Sequence, residues 1–576
     1  MAIPTINIDI DRDGRGVSLT SAGGLQHVVT WLASRGTPRR VRSASAAIVD
    51  YGHASQMLGM PEVIWSSEAE KAVRNRARIH AVAPSVVAEA RRLKAQGVDQ
   101  STAGRPSGLT VELDAHQAVN VAVMTLRDGY GACLFDEQGT GKTVCVIAAF
   151  DLLVHRDEAD VLVVVAPKSM VPEWKSEFGR FTHGLYKVAI ALGEGRRRAF
   201  GAGADVIVIN YEGVAAQLPE LKLLCKRSRV VLVVDESYNV KNAAASRSAA
   251  LKALREGCTR AFVLCGTPAP NAAVDIVSQV DLVDFGYAFD GMNRVGEMSL
   301  AEIQRCLDDR AVYLRSLKTF VLPDLPTRQY TKVELDLEPV QAQLYARLAG
   351  DLVNDLKQTS DQEFEKRRTS FMARRVALLR VCSNPVGLFP DYGEVPAKVK
   401  ALDGLLDNWV RRSGEKVVIW SWFKASLAYL ADRYQDFGLV RVDGTVQDAL
   451  ERQESIRRFQ EDPAIRIFLG NPAAAGAGLT LHRARLAVYE SLSNQAAHYM
   501  QSLDRIHRRG QTADVEYVVL VSRATLEEAE YERLQRKSAG QRALLGDPPD
   551  SSLSRRAMLR ELLPSLPKEP ADGAVR

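Results

Sequence analysis

An α/β chain with two parallel-sheet domains in tandem is predicted from three observations. Near-continuous apolar runs recur along the sequence, stretches of helical period separate them, and one run leads through a glycine-containing loop straight into a helix. Strands buried on both faces read as unbroken apolar runs, and their alternation with helices implies a parallel sheet covered on both sides. A helical insertion between the two sheets and a small N-terminal α+β segment complete the expected architecture. At 576 residues, 46% hydrophobic and 25% charged, the chain has the length of three or four globular domains. The expected boundaries are 1–108 for an accessory segment, 109–285 for the first sheet domain, 286–395 for a helical insertion and connection, 396–545 for the second sheet domain, and 546–576 for a weakly ordered tail.

A net charge of +5 permits a polyanionic partner without demonstrating one. The seven cysteines form no Cys-x-x-Cys pair and sit mostly in apolar runs, so they read as buried free thiols of a reducing compartment, without zinc. The first sixteen residues lack a basic region followed by an apolar one, and no apolar run reaches the length of a bilayer span. A soluble, cytoplasmic protein without membrane contact is expected.

In residues 1–108, Ile6–Ile10 alternates like a strand and Leu25–Ala33 has helical period, with two further helices expected over Glu68–His80 and Ser85–Gln96. The basic clusters Arg39–Arg42 and Arg74–Arg78 read as solvated faces or as phosphate contacts. From Leu109 the apolar runs Asp160–Ala166, Asp205–Asn210, Val230–Val234 and Arg260–Cys265 are the strands of the first sheet. Ligands bind such sheets at the carboxyl ends of the strands. Residues 286–395 lose the alternation and gain charge, helical period and prolines. The runs Lys416–Ser421, Gly438–Val442, Ile465–Leu469, Leu486–Tyr489 and Val515–Leu520 restore it, and Ala524–Leu545 reads as a charged amphipathic helix.

The stretch Ala132–Val144 (ACLFDEQGTGKTV) runs from a buried strand through Gly139, Thr140 and Gly141 into a helix that opens with Lys142 and Thr143. Glycines let backbone N–H groups turn inward and cradle phosphate at the positive end of the helix dipole. Lys142 would reach the β- and γ-phosphates, and the Thr143 hydroxyl would ligate Mg²⁺. The broad pattern wants a glycine where this chain has Asp136. Asp235 and Glu236 follow the Val230–Val234 run directly. Triphosphate hydrolysis needs one carboxylate for the metal and another to polarise the attacking water. The second sheet region has no glycine loop of its own. It has instead Gln501–Gln511 (QSLDRIHRRGQ), where Arg505 and Arg508 lie three apart and share one face if the segment is helical. Permanently charged guanidinium groups suit a transferring phosphoryl group.

Motif by motif, residues 109–545 resemble the Swi/Snf family of superfamily-two ATPases. DEQGTGKT (136–143) is similar to that family's first motif, which also begins Asp-Glu. APKSMVPEW (166–174), VINYEGV (208–214), LCGTPAPN (264–271), LRSLKTFVLPDLP (314–326), LLRVCSNP (378–385), VVIWSWF (417–423), VDGTV (442–446), AAAGAGLTL (473–481) and QSLDRIHRRGQ (501–511) match further motifs in order. DESYNVKN (235–242) matches the family's DEAH-x-IKN pattern, with Ser237 and Tyr238 in place of Ala and His. The resemblance implies two RecA-like lobes closing on ATP and Mg²⁺, with duplex DNA across both. It places Gln117 at an adenine-recognition position, Gly478 with the nucleotide-binding residues, and Lys168, Thr267, Thr480 and Gln501 among DNA contacts or relays. The absence of visible chromatin-reader modules looks more like the compact bacterial or viral members, or the small fork-remodelling type, than like chromatin remodellers. The implied activity is a DNA-stimulated ATPase that steps along duplex DNA, largely without sequence specificity, with forked or single-stranded DNA as further ligands. A strand-separating helicase and a non-catalytic DNA-binding scaffold are the alternatives. The intact Lys142, Asp235, Glu236, Arg505 and Arg508 argue against the scaffold.

Overall fold

The computed structural model describes residues 5–11, 16–37, 39–43, 45–98, 108–201, 203–242, 245–269, 273–289, 298–445, 449–475, 479–492 and 496–542. The expected tail and the Gln100–Gly108 linker, apart from Gly108, lie outside them. The chain divides into two compact units at Leu317/Lys318.

The first unit opens with a five-stranded sheet of β1 Ile6–Ile10, β2 Val17–Ser21, β3 Arg40–Ser43, β4 Ala46–Val49 and β5 Val63–Trp65, in the order β3-β4-β2-β1-β5. Strands β1 and β2 alternate buried and exposed residues, as a sheet with one covered face requires. The helix Gly24–Ala33 packs Val28, Trp31 and Leu32 into that core. A single helix then runs from Ser67 to Gln96. Two helices are expected there, and the structure joins them through Pro84. An interior proline costs about 3 kcal/mol. Ile79, Val86 and Val87 are buried on either side of it, and each contributes about 1.5–3 kcal/mol, so packing outweighs the break. The same helix corrects one reading of its basic cluster. Arg76 is an internal tie, 2.5 Å from Glu256 and stacked on Tyr51 and Phe285.

The rest of the first unit is a seven-stranded sheet of β6 Gly131–Leu134, β7 Val161–Ala166, β8 Val188–Ala191, β9 Val206–Asn210, β10 Val230–Asp235, β11 Arg260–Leu264 and β12 Tyr313–Leu314, ordered β12-β6-β11-β10-β7-β9-β8. Every strand pair in it is parallel. Strands β6, β7, β9, β10 and β11 are buried along their whole length, as their apolar runs predict.

The second unit has a six-stranded parallel sheet of β13 Arg328–Leu335, β14 Val417–Trp420, β15 Leu439–Val442, β16 Ile467–Gly470, β17 Leu486–Tyr489 and β18 Val515–Ser522, ordered β13-β18-β17-β14-β16-β15. Two apolar clusters cover it. Strand β13 adds an unexpected element to 286–395, read as a helical insertion and connection. It pairs with β18 over eight residues at the sheet's edge, where its mostly exposed, polar face leaves no apolar run to read. The helices Pro339–Gln358 and Asp361–Ser383 pack on each other, and a buried 2.6 Å pair between Arg375 and Glu530 ties them to the helix Leu526–Arg542. Lys398, fully buried, donates to the Glu490 carbonyl at 2.8 Å and to Glu527 at 2.7 Å.

Candidate active site

The glycine loop follows β6, and the helix Lys142–His155 begins at once behind it. Gly141 has φ +94°, and a side chain there would put its Cβ 2.3 Å from Gln117 Nε2. Glycine is therefore required both by conformation and by space. Gln117 accepts from the Asp114 N–H at 2.9 Å and donates to the Thr140 carbonyl at 2.9 Å, so it braces the loop from the first turn of the helix Ala115–Met124. His116 Nε2 reaches the same carbonyl at 3.0 Å, and Thr140 Oγ1 donates to the Glu137 carbonyl at 2.8 Å. Gly139 also has positive φ. The Lys142 ammonium donates to the carbonyls of Asp136 and Glu137 at 2.9 and 3.1 Å, inside the loop that it closes.

Asp136, where the broad pattern has glycine, has a mechanical role. It is buried, with one carboxylate oxygen 2.6 Å from the Ser316 N–H and the other 2.6 Å from Asn120 Nδ2. Arg315 donates to the carbonyls of Phe135 and Gly266, fastening the loop's base from the edge strand.

Asp235 and Glu236 leave the end of β10, separated from β6 by β11 alone. Burial, and then the neighbouring Glu236 charge, push the Asp235 carboxyl up to about 7, against the bond from Trp174 and the positive charge of Lys142. Trp174 Nε1 donates to Asp235 Oδ2 at 2.9 Å, and the Glu236 N–H donates to Oδ1 at 2.8 Å. Tyr211 holds the backbone there, its hydroxyl 2.5 Å from the Asp235 carbonyl. Glu236 has φ +50°, a left-handed conformation that non-glycine residues adopt at a cost of about 1–3 kcal/mol and mostly at functional sites. Its carboxylate accepts from Gln138 Nε2 of the glycine loop at 2.9 Å. A Cβ on Gly266, at the end of β11, would lie 2.5 Å from Gln138 Cγ, so the third strand end closes on the same residue. Lys142, Asp235 and Glu236 are thus gathered at the carboxyl ends of interior strands of one sheet, with Thr143 following Lys142 in the helix.

Other expected residues fall in varied settings. Lys168 is exposed beyond β7, whereas Thr267 and Gln501 are buried. The Thr480 carbonyl accepts from Gln460 Nε2. Gly478 lies outside the described residues. Tyr238 is half-buried, and its backbone N–H and that of Thr267 bond the Cys265 sulfur, whose thiol burial pushes up to about 12.

In the second unit the arginines do not lie on a helix. The helix Ala496–Leu503 ends before them, and 504–510 is a series of turns. The carbonyls that would continue the helix serve partners elsewhere. Leu503 O accepts from the Tyr517 hydroxyl, Arg505 O from the Leu481 N–H at 2.9 Å, and His507 O from Lys318 at 3.0 Å. Arg505 and Arg508 still converge, donating to the one Leu479 carbonyl at 3.3 and 2.8 Å. Arg509 is exposed. Lys318, 1% exposed, pairs with Asp504 at 2.5 Å, and His507 Nε2 lies 2.8 Å from the Pro326 carbonyl. Sequence reasoning singled out none of Gln138, Asn120, Arg315, Lys318 and Asp504 for these contacts. Trp174, Gln138, Arg315, Lys318 and Asp504 stood inside quoted motifs, and that was their only signal; Asn120 had none.

The chain matches the SNF2-related domain over residues 26–386 and the helicase conserved C-terminal domain over residues 397–510. Among curated proteins it is similar to the mouse SWI/SNF-related matrix-associated actin-dependent regulator of chromatin subfamily A member 1, at 27% identity over 73% of this chain and 42% of that protein. It is also similar to the mouse chromodomain-helicase-DNA-binding protein 1-like, at 28% identity over 75% of this chain and 50% of that one. The chain thus spans half or less of the length of these relatives. Among solved structures it is similar to the Sulfolobus solfataricus SWI2/SNF2 ATPase core in complex with dsDNA, at 22% identity over 80% of this chain and 98% of that one, with a TM-score of 0.36.

Proposed function

The chain belongs to the SNF2-related family, and on that premise we propose that it is a DNA-stimulated ATPase that translocates on duplex DNA to remodel DNA structures or protein–DNA complexes. One observation supports this most: the glycine loop, Asp235, Glu236 and Gly266 meet at the carboxyl ends of β6, β10 and β11, with Gln138 bridging from the loop to Glu236. The donor set fits Mg²⁺-ATP. Lys142 would exchange its two loop carbonyls for phosphate oxygens, and Thr143 and Asp235 would hold the metal. Bound there, Mg²⁺ would neutralise charge on the phosphate oxygens. Glu236 would orient the attacking water. Gly139, Thr140 and Gly141 would present backbone N–H groups, with Gln117 holding the loop in shape and Gly478 contributing from the second unit. Arg505 and Arg508 would stabilise the transferring phosphoryl group. Lys168, being exposed, would meet the DNA backbone directly, whereas Thr267, Thr480 and Gln501 would act as relays. Phosphate contacts would dominate binding and give low sequence specificity with a strong salt dependence.

Phosphate release by the full chain with no DNA, duplex, single-stranded and forked DNA tests this reading, with Lys142→Ala as the control. Duplex DNA is expected to stimulate most, and the control to be inactive. Stimulation by single strands alone, together with strand separation of a forked substrate, would replace the duplex motor with a helicase. Activity in the control would remove the site assignment.

A further inference from the structure

Ser237 stands where the family pattern has alanine, and its hydroxyl is fully buried. It donates to Gln279 Oε1 at 2.6 Å. Gln279, equally buried on the helix Val277–Asp284, donates in turn to the carbonyls of Pro268 at 2.6 Å and Asp275 at 2.7 Å. Both N–H groups of this side chain and its carbonyl are thereby engaged. A buried glutamine amide is tolerated only where its bonds are satisfied, so this chain is rigid and specific. One end of it is the residue after Glu236, in the left-handed turn that aims the Glu236 carboxylate at Gln138. The other end is the carbonyl next to Thr267, just beyond β11. A second link between the acidic turn and this segment runs through the Cys265 sulfur, which takes the backbone N–H groups of Tyr238 and Thr267, so among the described residues the Ser237–Gln279 chain is the one made by polar side chains alone. The family's residue at 238 is a histidine, and here that position is Tyr238, tied to the same region through its backbone at Cys265.

We propose that Ser237 and Gln279 form a positioning relay, which transmits the placement of the Thr267–Pro268 turn to the Glu236 carboxylate and so sets duplex-stimulated turnover without touching nucleotide. The relay rests on the ATPase reading above. Its alternative is simple packing, in which the pair only fills the core. The two differ in what happens when both polar groups are removed together. Ser237→Ala leaves the Gln279 carbonyl without this donor, and Gln279→Met removes the acceptor of the Ser237 hydroxyl and the donor to two backbone carbonyls. The double variant S237A/Q279M replaces the polar pair with an apolar one of similar volume.

The experiment measures thermal melting and steady-state ATP turnover, with and without duplex DNA, for the wild type, both single variants and the double variant. The relay predicts that each single variant lowers duplex-stimulated kcat by about fivefold or more, the range of ordinary coupling between sites. KM for ATP stays within about twofold, as expected when only turnover is affected. The double variant should melt above Q279M yet remain unstimulated, because an apolar pair restores packing and not the link. Duplex stimulation in the double variant equal to that of the wild type overturns the relay. S237A, the mildest change, decides alone if the double variant does not fold: unchanged stimulation there overturns the relay as well. A wild type that hydrolyses ATP without response to duplex DNA, or not at all, overturns the functional reading itself, and the two failures are thus distinguishable.

Discussion

The two parallel sheets are built alike and equipped differently. In the first, the glycine loop and the two carboxylates stand at the carboxyl ends of buried strands, whereas Arg505 and Arg508 of the second stand in the turn that leads into β18; in each a basic side chain bonds backbone carbonyls of its own unit. In the first sheet, Lys142 rests on the carbonyls of Asp136 and Glu137, with two carboxylates on a strand separated by one other from the strand that bears its loop. In the second, Arg505 and Arg508 rest on the Leu479 carbonyl, with no glycine loop of the same kind among the described residues. A doubly wound sheet supplies strand ends, and the loops alone decide what chemistry stands there. On this account the first sheet holds the triphosphate and its metal, and the two arginines of the second act in turnover.

The largest effect that sharpens this contrast is expected at Lys142. Lys142→Ala should abolish hydrolysis and keep the thermal melting profile, because the side chain bonds only loop carbonyls. Full turnover in that variant would erase the distinction between the sheets. Glu236→Gln should separate the steps of the first sheet. The amide retains a bond to Gln138 but cannot polarise water, so ATP binding persists while phosphate release becomes very slow. Loss of ATP affinity in a binding titration would instead make Glu236 a nucleotide ligand.

Much of this contrast was legible in the sequence, and the boundary of legibility is physical. Buried parallel strands such as β7 and β10 read as apolar runs because both faces are covered. Strand β13 did not, since an edge strand meets solvent with residues such as Gln329 and Thr331. The helix through Pro84 is held by burial contributed from the rest of the unit, which no local pattern records. Lys142, Asp235 and Glu236 were readable because the chemistry demands those groups at that spacing. The buried supports, Asn120 at Asp136 and Trp174 at Asp235, meet their partners across sixteen and 61 residues of chain, where spacing carries no information. The turn after Leu503 fails as a helix for the same reason, since its carbonyls are claimed by Lys318, Leu481 and Tyr517.

Smaller effects probe the supports. Lys318→Met leaves the Asp504 carboxylate without its buried partner and should cost the second unit about 3–5 kcal/mol, read as a lower denaturant midpoint. An unchanged midpoint would mean that the Arg505–Arg508 turn is not held by this pair. The smallest effect concerns the first unit. Burial raises the Asp284 carboxyl from 3.8 to about 7, so the folded chain keeps a proton there that the unfolded chain releases. Its contribution to stability therefore falls as pH rises from about 4 to 7. Asp284→Asn removes that titration, and its melting temperature relative to wild type should climb across this window. A difference that stays flat with pH would contradict the assignment.

The division of labour between the sheets is tested most directly by measuring nucleotide affinity and duplex-stimulated turnover on the same preparations of Arg505→Ala, Arg508→Ala and Arg509→Ala. A phosphoryl-stabilising arginine is worth roughly a thousandfold or more in rate in related enzymes. The account predicts a loss on that scale for the first two variants with ATP affinity retained, and a small change for the exposed Arg509. Affinity lost together with turnover at Arg505 and Arg508, or turnover lost only at Arg509, would contradict it.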